Sequence, residues 1–237
     1  MAKRVSLFVT CMVDQFLPKV GLAMAEVLER AGFAVEFREA QTCCGLPAHQ
    51  AGCTPQARAV GSHFLKTFDD ADFVVVPSPT CAAMLGRDLP RLFADDPSAQ
   101  ANAQTLSARV WEFSRFLLEV AQIDSLGARF PHRVTLSDTC PAPATAGPRK
   151  LLEGVDGLEY VEMTGPSECC GFGGLFRLQY PQEAETMTQK QVGRILRSGA
   201  THVVGLEVGC LLQLRGAFER GQHAVQTVHL AEVLASR

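Results

Sequence analysis

The chain has 237 residues, 47% hydrophobic and 20% charged, with a formal charge of −3. Such a composition describes a folded globular chain of one large domain or two small ones, without the basic patch that nucleic acid requires and without a low-complexity tract. No transmembrane segment is expected: the opening MAKRVSLFVTC lacks a small-residue cleavage site and is too short to span a bilayer, so it reads as a buried strand in a cytoplasmic protein.

In chain order, strands are predicted at 4–9, 34–37, 73–76, 133–137, 158–162 and 202–205, short runs rich in Val, Phe, Leu and Thr. Helical stripes separate them. Val20, Met24, Val27, Leu28 and Ala31 share one face, and Gly32 can stop that helix. Thr54 before Pro55 is a good cap for a helix carrying Ala57, Val60, Phe64 and Phe68 on one side. The segments VWEFSRFLLEV at 110–120 and VHLAEVLASR at 228–237 are both read as amphipathic, the first with Phe113, Phe116, Leu117 and Val120 as its stripe and Trp111 packing at its start. Met187, Val192, Ile195 and Leu196 make a further stripe, capped by Gly199.

Alternating strand and helix predicts an α/β architecture of two similar lobes related by a pseudo-twofold, each with a mostly parallel sheet flanked by helices. The lobes are expected at 1–125 and 126–237, divided in the stretch where QIDSLGARFPH loses its periodicity.

Nine cysteines are many for a reducing compartment, where disulfides seldom persist. Eight of them repeat. Cys11, Cys43, Cys44 and Cys81 recur 126 or 129 residues later as Cys140, Cys169, Cys170 and Cys210, within similar surroundings, such as QTCCGLP beside SECCGFGG. Cys53 has no counterpart. Parallel sheets gather ligands beyond the carboxyl ends of their strands, and every repeated cysteine follows a predicted strand. Four thiolates are the usual complement of an iron-sulfur cluster. Gly45, Gly171, Gly173 and Gly174 let the backbone turn with positive φ and bring amides near the sulfurs. Structural zinc also takes four cysteines, but usually from C-x₂₋₄-C knuckles. Disulfide exchange calls for C-x-x-C or a helix-starting thiol beside basic residues, and neither is evident. Cysteines buried as small hydrophobes explain Cys53 more easily than eight in register.

Other polar residues carry weaker signals. His49 could tune or ligate a cluster, His229 could cap or donate near the second set, Asp14 and Asp138 lie near cluster cysteines, and Arg177 and Lys190 could receive a substrate carboxylate. For each, an ordinary surface or structural role is the simpler reading.

The segments CMVDQFLPKVGLAMAEVLERAG, QTCCGLPAHQAG, VPSPTC, ECCGFGGLF and VHLAEVL resemble the cysteine-rich CCG domain found in heterodisulfide reductase, within that group most closely the lactate utilisation protein A (LutA/YkgE) family. The resemblance implies an iron-sulfur electron-transfer subunit of a complex that oxidises L-lactate to pyruvate, acting with a ferredoxin-type iron-sulfur protein (LutB-like) and a LutC-like protein. It implies one or two clusters per chain, [4Fe-4S] being the simplest form, on the eight repeated cysteines. A glycolate, other 2-hydroxy-acid or heterodisulfide-type oxidoreductase would use the same scaffold, and a zinc-bound or metal-free scaffold protein is the alternative from another class. The wider C-x-x-C ending is absent, since Met84 and Gln213 stand where a further cysteine would fall, and PAPATAG follows Cys140 where a His and a longer polar stretch are more usual.

Overall fold

The computed structural model describes residues 3–137, 146–166 and 168–237. The chain divides into two compact units, one up to Gln122 and one from Ile123. Gln122 itself takes a left-handed φ of 57°.

In the first unit β1 (Arg4–Leu7) is followed by α1 (Cys11–Phe16) and α2 (Pro18–Arg30), then β2 (Ala34–Phe37), α3 (Leu46–Gln50), α4 (Thr54–Thr67) and β3 (Val74–Val76). There follow α5 (Pro79–Ala83), a π turn at Met84–Asp88, a 3-10 turn at Leu89–Phe93, α6 (Pro97–Ser107), β4 (Val110–Glu112) and α7 (Phe113–Arg115), which runs on as a π turn through Val120. The second unit holds β5 (Arg133–Ser137), α8 (Ala146–Glu153), β6 (Glu159–Tyr160), α9 (Leu175–Gln179), α10 (Pro181–Ser198), β7 (His202–Gly205), α11 (Val208–Arg220), β8 (Gln226–His229) and α12 (Leu230–Ala235).

Among the described residues the strands form two four-stranded sheets, ordered β2-β1-β3-β4 and β6-β5-β7-β8, with every pairing parallel. The two orders are the same in each unit. Val74, Val75 and Val76 are completely buried, as a parallel strand covered on both faces should be. Phe8, Phe64, Phe68, Met84 and Leu89 pack beside Cys44 and Cys81 in the first core, while Val203, Leu214 and Phe218 pack beside Cys170 and Cys210 in the second.

Two predicted helices are corrected. The segment at 110–120 begins as β4 and the one at 228–237 begins within β8. The reason is the same at both places: Glu112 and His229 keep extended backbones (ψ 142° and 146°), and their side chains accept amides of the following turn. A capping residue thus ends the strand and starts the helix in one step, so the helical stripe counts only from the residue after it. Trp111 accordingly lies in a strand, half-buried, under the Arg115 guanidinium at 5.6 Å. Two smaller differences follow from similar local chemistry. Thr54 is the first helical residue of α4 with Cys53 before it, and on α10 Leu196 is exposed while Thr188, Gln191 and Arg194 join Val192 and Ile195 on the buried face. Gly199 caps α10 with φ 69°, as read from the sequence.

Candidate metal centre

With β1 and β3 adjacent in the middle of the first sheet, the chain leaves them toward opposite edges, and the crevice at their carboxyl ends is where such sheets take ligands. The cysteines are found there. Cys11 opens α1 after β1, Cys43 and Cys44 lie between β2 and α3, and Cys81 sits in the first turn of α5 after β3. Cys44 Sγ is 3.1 Å from Cys81 Sγ, and Cys43 lies near enough to Cys11 and Cys44 for each to act on its thiol. All four thiols are free, and all four follow the carboxyl ends of strands of the first sheet.

Their neighbours shift these thiols in opposite directions. The Cys11 thiol first, then Cys44, and the Gly45 amide hold Cys43 far below the ordinary thiol range. Cys11 and Cys44 are pushed up, each chiefly by Cys43; burial follows at Cys11, and Cys81 and then burial follow at Cys44. Cys43 is thus the thiol whose neighbours favour the thiolate. Gly45 reaches this position with φ 87°, and its amide donates to Cys43 Sγ at 3.4 Å. Gln41 braces the same loop by accepting from the Val9 amide (2.8 Å) and donating to the Leu7 carbonyl (3.3 Å), which ties the cysteine pair to the end of β1. Ser78 caps α5 and accepts from the Cys81 amide.

The second unit repeats the plan with different supports. Cys169 and Cys170 precede α9, and Cys210 lies in the first turn of α11. Cys170 Sγ is 2.6 Å from Cys210 Sγ. The Gly171 amide donates to Cys169 (3.5 Å) and the Phe172 amide to Cys170 (3.4 Å). The neighbouring Cys169 pushes the Cys170 thiol up to about 12, with Cys210 opposing and burial reinforcing the shift. The Thr188 hydroxyl is shared between the Cys170 carbonyl (2.8 Å) and the Ala184 carbonyl (2.7 Å) and accepts from Gln213, while Gln191 donates to Ser137 at the end of β5. Gly171 has φ 80°, and a Cβ there would lie 2.2 Å from the Ala184 carbonyl oxygen. Gly173 stands in the turn before α9 with φ 53°, its carbonyl accepting from the Phe176 amide. Cys140 and Asp138 lie outside the described residues. Among the described residues, no three His, Cys, Asp or Glu side chains are disposed to hold a single metal ion.

The remaining expectations sort plainly. Cys53 is exposed, just before α4, and its thiol donates weakly to the Ala51 carbonyl at 3.9 Å. His49 is exposed on α3 rather than in a loop. Asp14 is exposed on α1, Arg177 pairs with Glu185 at 3.2 Å, and Lys190 is exposed on α10. His229 is fully buried, accepting from the Ala231 amide and bonding the Leu206 carbonyl. Helix-starting thiols, not evident in the sequence, are present: Cys11, Cys81 and Cys210 all occupy first turns. Gln41, Thr188 and Gln191 escaped sequence reasoning because a single polar residue near a loop or on a helix carries no pattern.

The cysteine-rich domain family CCG matches residues 5–86 and 134–215, once in each unit. The chain is 40% identical to "Lactate utilization protein A" of Geobacillus kaustophilus and 39% identical to "Lactate utilization protein A 2" of Bacillus mycoides, in each case across 99% of both chains. Among solved structures, a hypothetical protein from Helicobacter pylori has the same fold over 98% of this chain and 48% of its own, with a TM-score of 0.66 at 8% identity.

Proposed function

We propose, from the premise that this chain belongs to the CCG cysteine-rich domain proteins and among them to the lactate utilization protein A family, that it serves lactate utilisation as the iron-sulfur electron-transfer subunit of a complex oxidising L-lactate to pyruvate. The observation that carries this reading is the set of four free thiols following the carboxyl ends of the first sheet's strands, with Cys44 Sγ 3.1 Å from Cys81 Sγ and the Gly45 amide donating to Cys43. This donor set suits a cluster: Cys11, Cys43, Cys44 and Cys81 would hold one, and Cys140, Cys169, Cys170 and Cys210 a second, each [4Fe-4S] in the simplest case. When bound, such a cluster accepts and releases single electrons.

The chain's own residues prepare the site. The Gly45, Gly171 and Phe172 amides stabilise negative charge on sulfur, which favours binding and raises the potential of whatever the sulfurs hold. Burial of Cys44, Cys81, Cys170 and Cys210 keeps water from four of the sulfurs. Exposed Cys11 marks the side from which a redox partner approaches, a ferredoxin-type LutB-like protein in this reading, with a LutC-like protein completing the cytoplasmic assembly. None of the described helices is long and apolar enough to cross a membrane.

The test is substrate-dependent reduction. The anaerobically purified chain, mixed with its two partner proteins, should lose visible absorbance on addition of L-lactate and not of glycolate. Bleaching by glycolate alone would move the chain to a different 2-hydroxy acid, and bleaching by neither would remove it from the electron path.

A further inference from the structure

Beside the second cysteine set, α10 and the loop leading to Cys169 enclose a cleft of about 240 Å³ that the electron-transfer reading leaves unused. Its lining includes Lys190, Arg194 and Arg197 on α10, and Thr164, Gly165 and Glu168 on the loop. Three cations therefore face one carboxylate. None of the three cations makes an ion pair among the described residues, unlike Arg177 and Arg220 nearby, which are both paired with Glu185.

Arg194 is the telling member. It is 7% exposed, and its guanidinium donates to the Thr164 carbonyl (3.3 Å), the Gly165 carbonyl (3.4 Å) and Gln191 Oε1 (2.9 Å). These are neutral acceptors. A guanidinium has five N–H groups, so two remain without an acceptor among the described residues. A buried cation held only by neutral oxygens leaves its charge uncompensated, and an anion from outside repairs that. The floor of the cleft is kept low by Gly193, where a Cβ would already meet Arg197 Nη1 at 3.3 Å. A small carboxylate fits these donors, since planar guanidinium groups bind carboxylates through paired N–H bonds. The loop wall adds the Thr164 hydroxyl and the Glu168 carboxylate, which make no side-chain hydrogen bond or ion pair among the described residues and can receive the hydroxyl on the neighbouring carbon.

We infer that this cleft is a binding site for a small 2-hydroxy carboxylate, its carboxylate on Lys190, Arg194 and Arg197 and its hydroxyl toward Thr164 and Glu168. That the acid is a 2-hydroxy acid of lactate size rests on the function proposed above; that it is a carboxylate rests on the cleft.

The experiment is titration calorimetry on the anaerobically purified full chain, with L-lactate, propionate and inorganic phosphate as separate probes. L-lactate should bind more tightly than propionate, which lacks the hydroxyl, and more tightly than phosphate. The double variant Lys190→Gln/Arg197→Gln, altered only at exposed positions, should weaken L-lactate binding roughly tenfold or more with iron content and unfolding temperature unchanged. No binding of L-lactate, equal affinity in the variant, or preference for phosphate overturns the assignment. Iron and sulfide assays on the same samples separate the two claims: a cluster-loaded chain that ignores L-lactate defeats only the cleft, and a cluster-free chain that binds it defeats only the electron-transfer role.

Discussion

The two units use the same sheet order to bring cysteines to the same edge, yet they brace those cysteines by different means. In the first, Gln41 ties the Cys43-Cys44 loop to β1, and Gly45 turns into α3 with ordinary space around it, the nearest approach to its missing Cβ being Val60 at 3.5 Å. In the second, the loop is clamped from α10: Thr188 holds the Cys170 carbonyl, and the Ala184 carbonyl fills the space a Gly171 side chain would need. The caps that close the two sheets differ too, a buried carboxyl at Glu112 and a buried imidazole at His229. Repetition therefore fixes where the thiols stand, while each unit solves the support of its loop separately.

Removing one sulfur at a time should give the greatest effect and show whether the two sets are independent. Cys44→Ser and Cys170→Ser should each abolish iron binding at their own set and leave the other set loaded, whereas Cys53→Ser should leave iron at the wild-type level, all read by iron analysis of anaerobic protein. Equal loss from Cys53→Ser would show that the ligand assignment is wrong.

A smaller effect distinguishes the glycines. Gly45→Ala forces a residue with a side chain into φ 87°, at a cost of about 1–2 kcal/mol. Gly171→Ala meets the same backbone cost and also a Cβ 2.2 Å from a carbonyl oxygen, so its loss of stability in denaturant titration should be clearly the larger. Equal losses would mean that α10 does not clamp the second loop.

The caps should differ least in size and most in pH dependence. His229→Ala leaves the Ala231 amide and the Leu206 carbonyl without their partner and should cost about 2 kcal/mol. Burial raises the Glu112 carboxyl, against the pull of its capping bonds to Ser114 and Arg115. A carboxyl raised on folding costs nothing below its ordinary value of 4.5 and costs stability once the pH climbs through the folded value. Glu112→Gln should accordingly match wild type in acid and gain relative stability as pH rises, a trend that thermal unfolding across pH would reveal or refute.

Much of this plan was legible in the sequence. The 126- and 129-residue offsets announced two lobes, and β1, β2, β3, β5, β6 and β7 all fall within the strand runs expected from the sequence. β4 and β8 do not, because Val-Trp-Glu and Gln-Thr-Val-His are too short and too polar to stand out ahead of the helices they feed. The cysteine positions carried the site, but its braces did not show: Gln41 reveals its role only through its bonds to Leu7 and Val9. The cationic cleft was half visible. Lys190 stood out as a possible carboxylate receiver, while Arg194 on a helix of mixed polarity gave no sign that it would be buried beside neutral acceptors.

The functional reading stands or falls on each quartet of thiols gathering around an inorganic, sulfide-containing centre. Iron, acid-labile sulfide and zinc should therefore be determined together on the full chain purified without oxygen. Iron and sulfide are expected in equal amounts, about four of each per loaded set, with little zinc; stoichiometric zinc without sulfide, or bare thiols in a chain that still supports lactate oxidation, would overturn it.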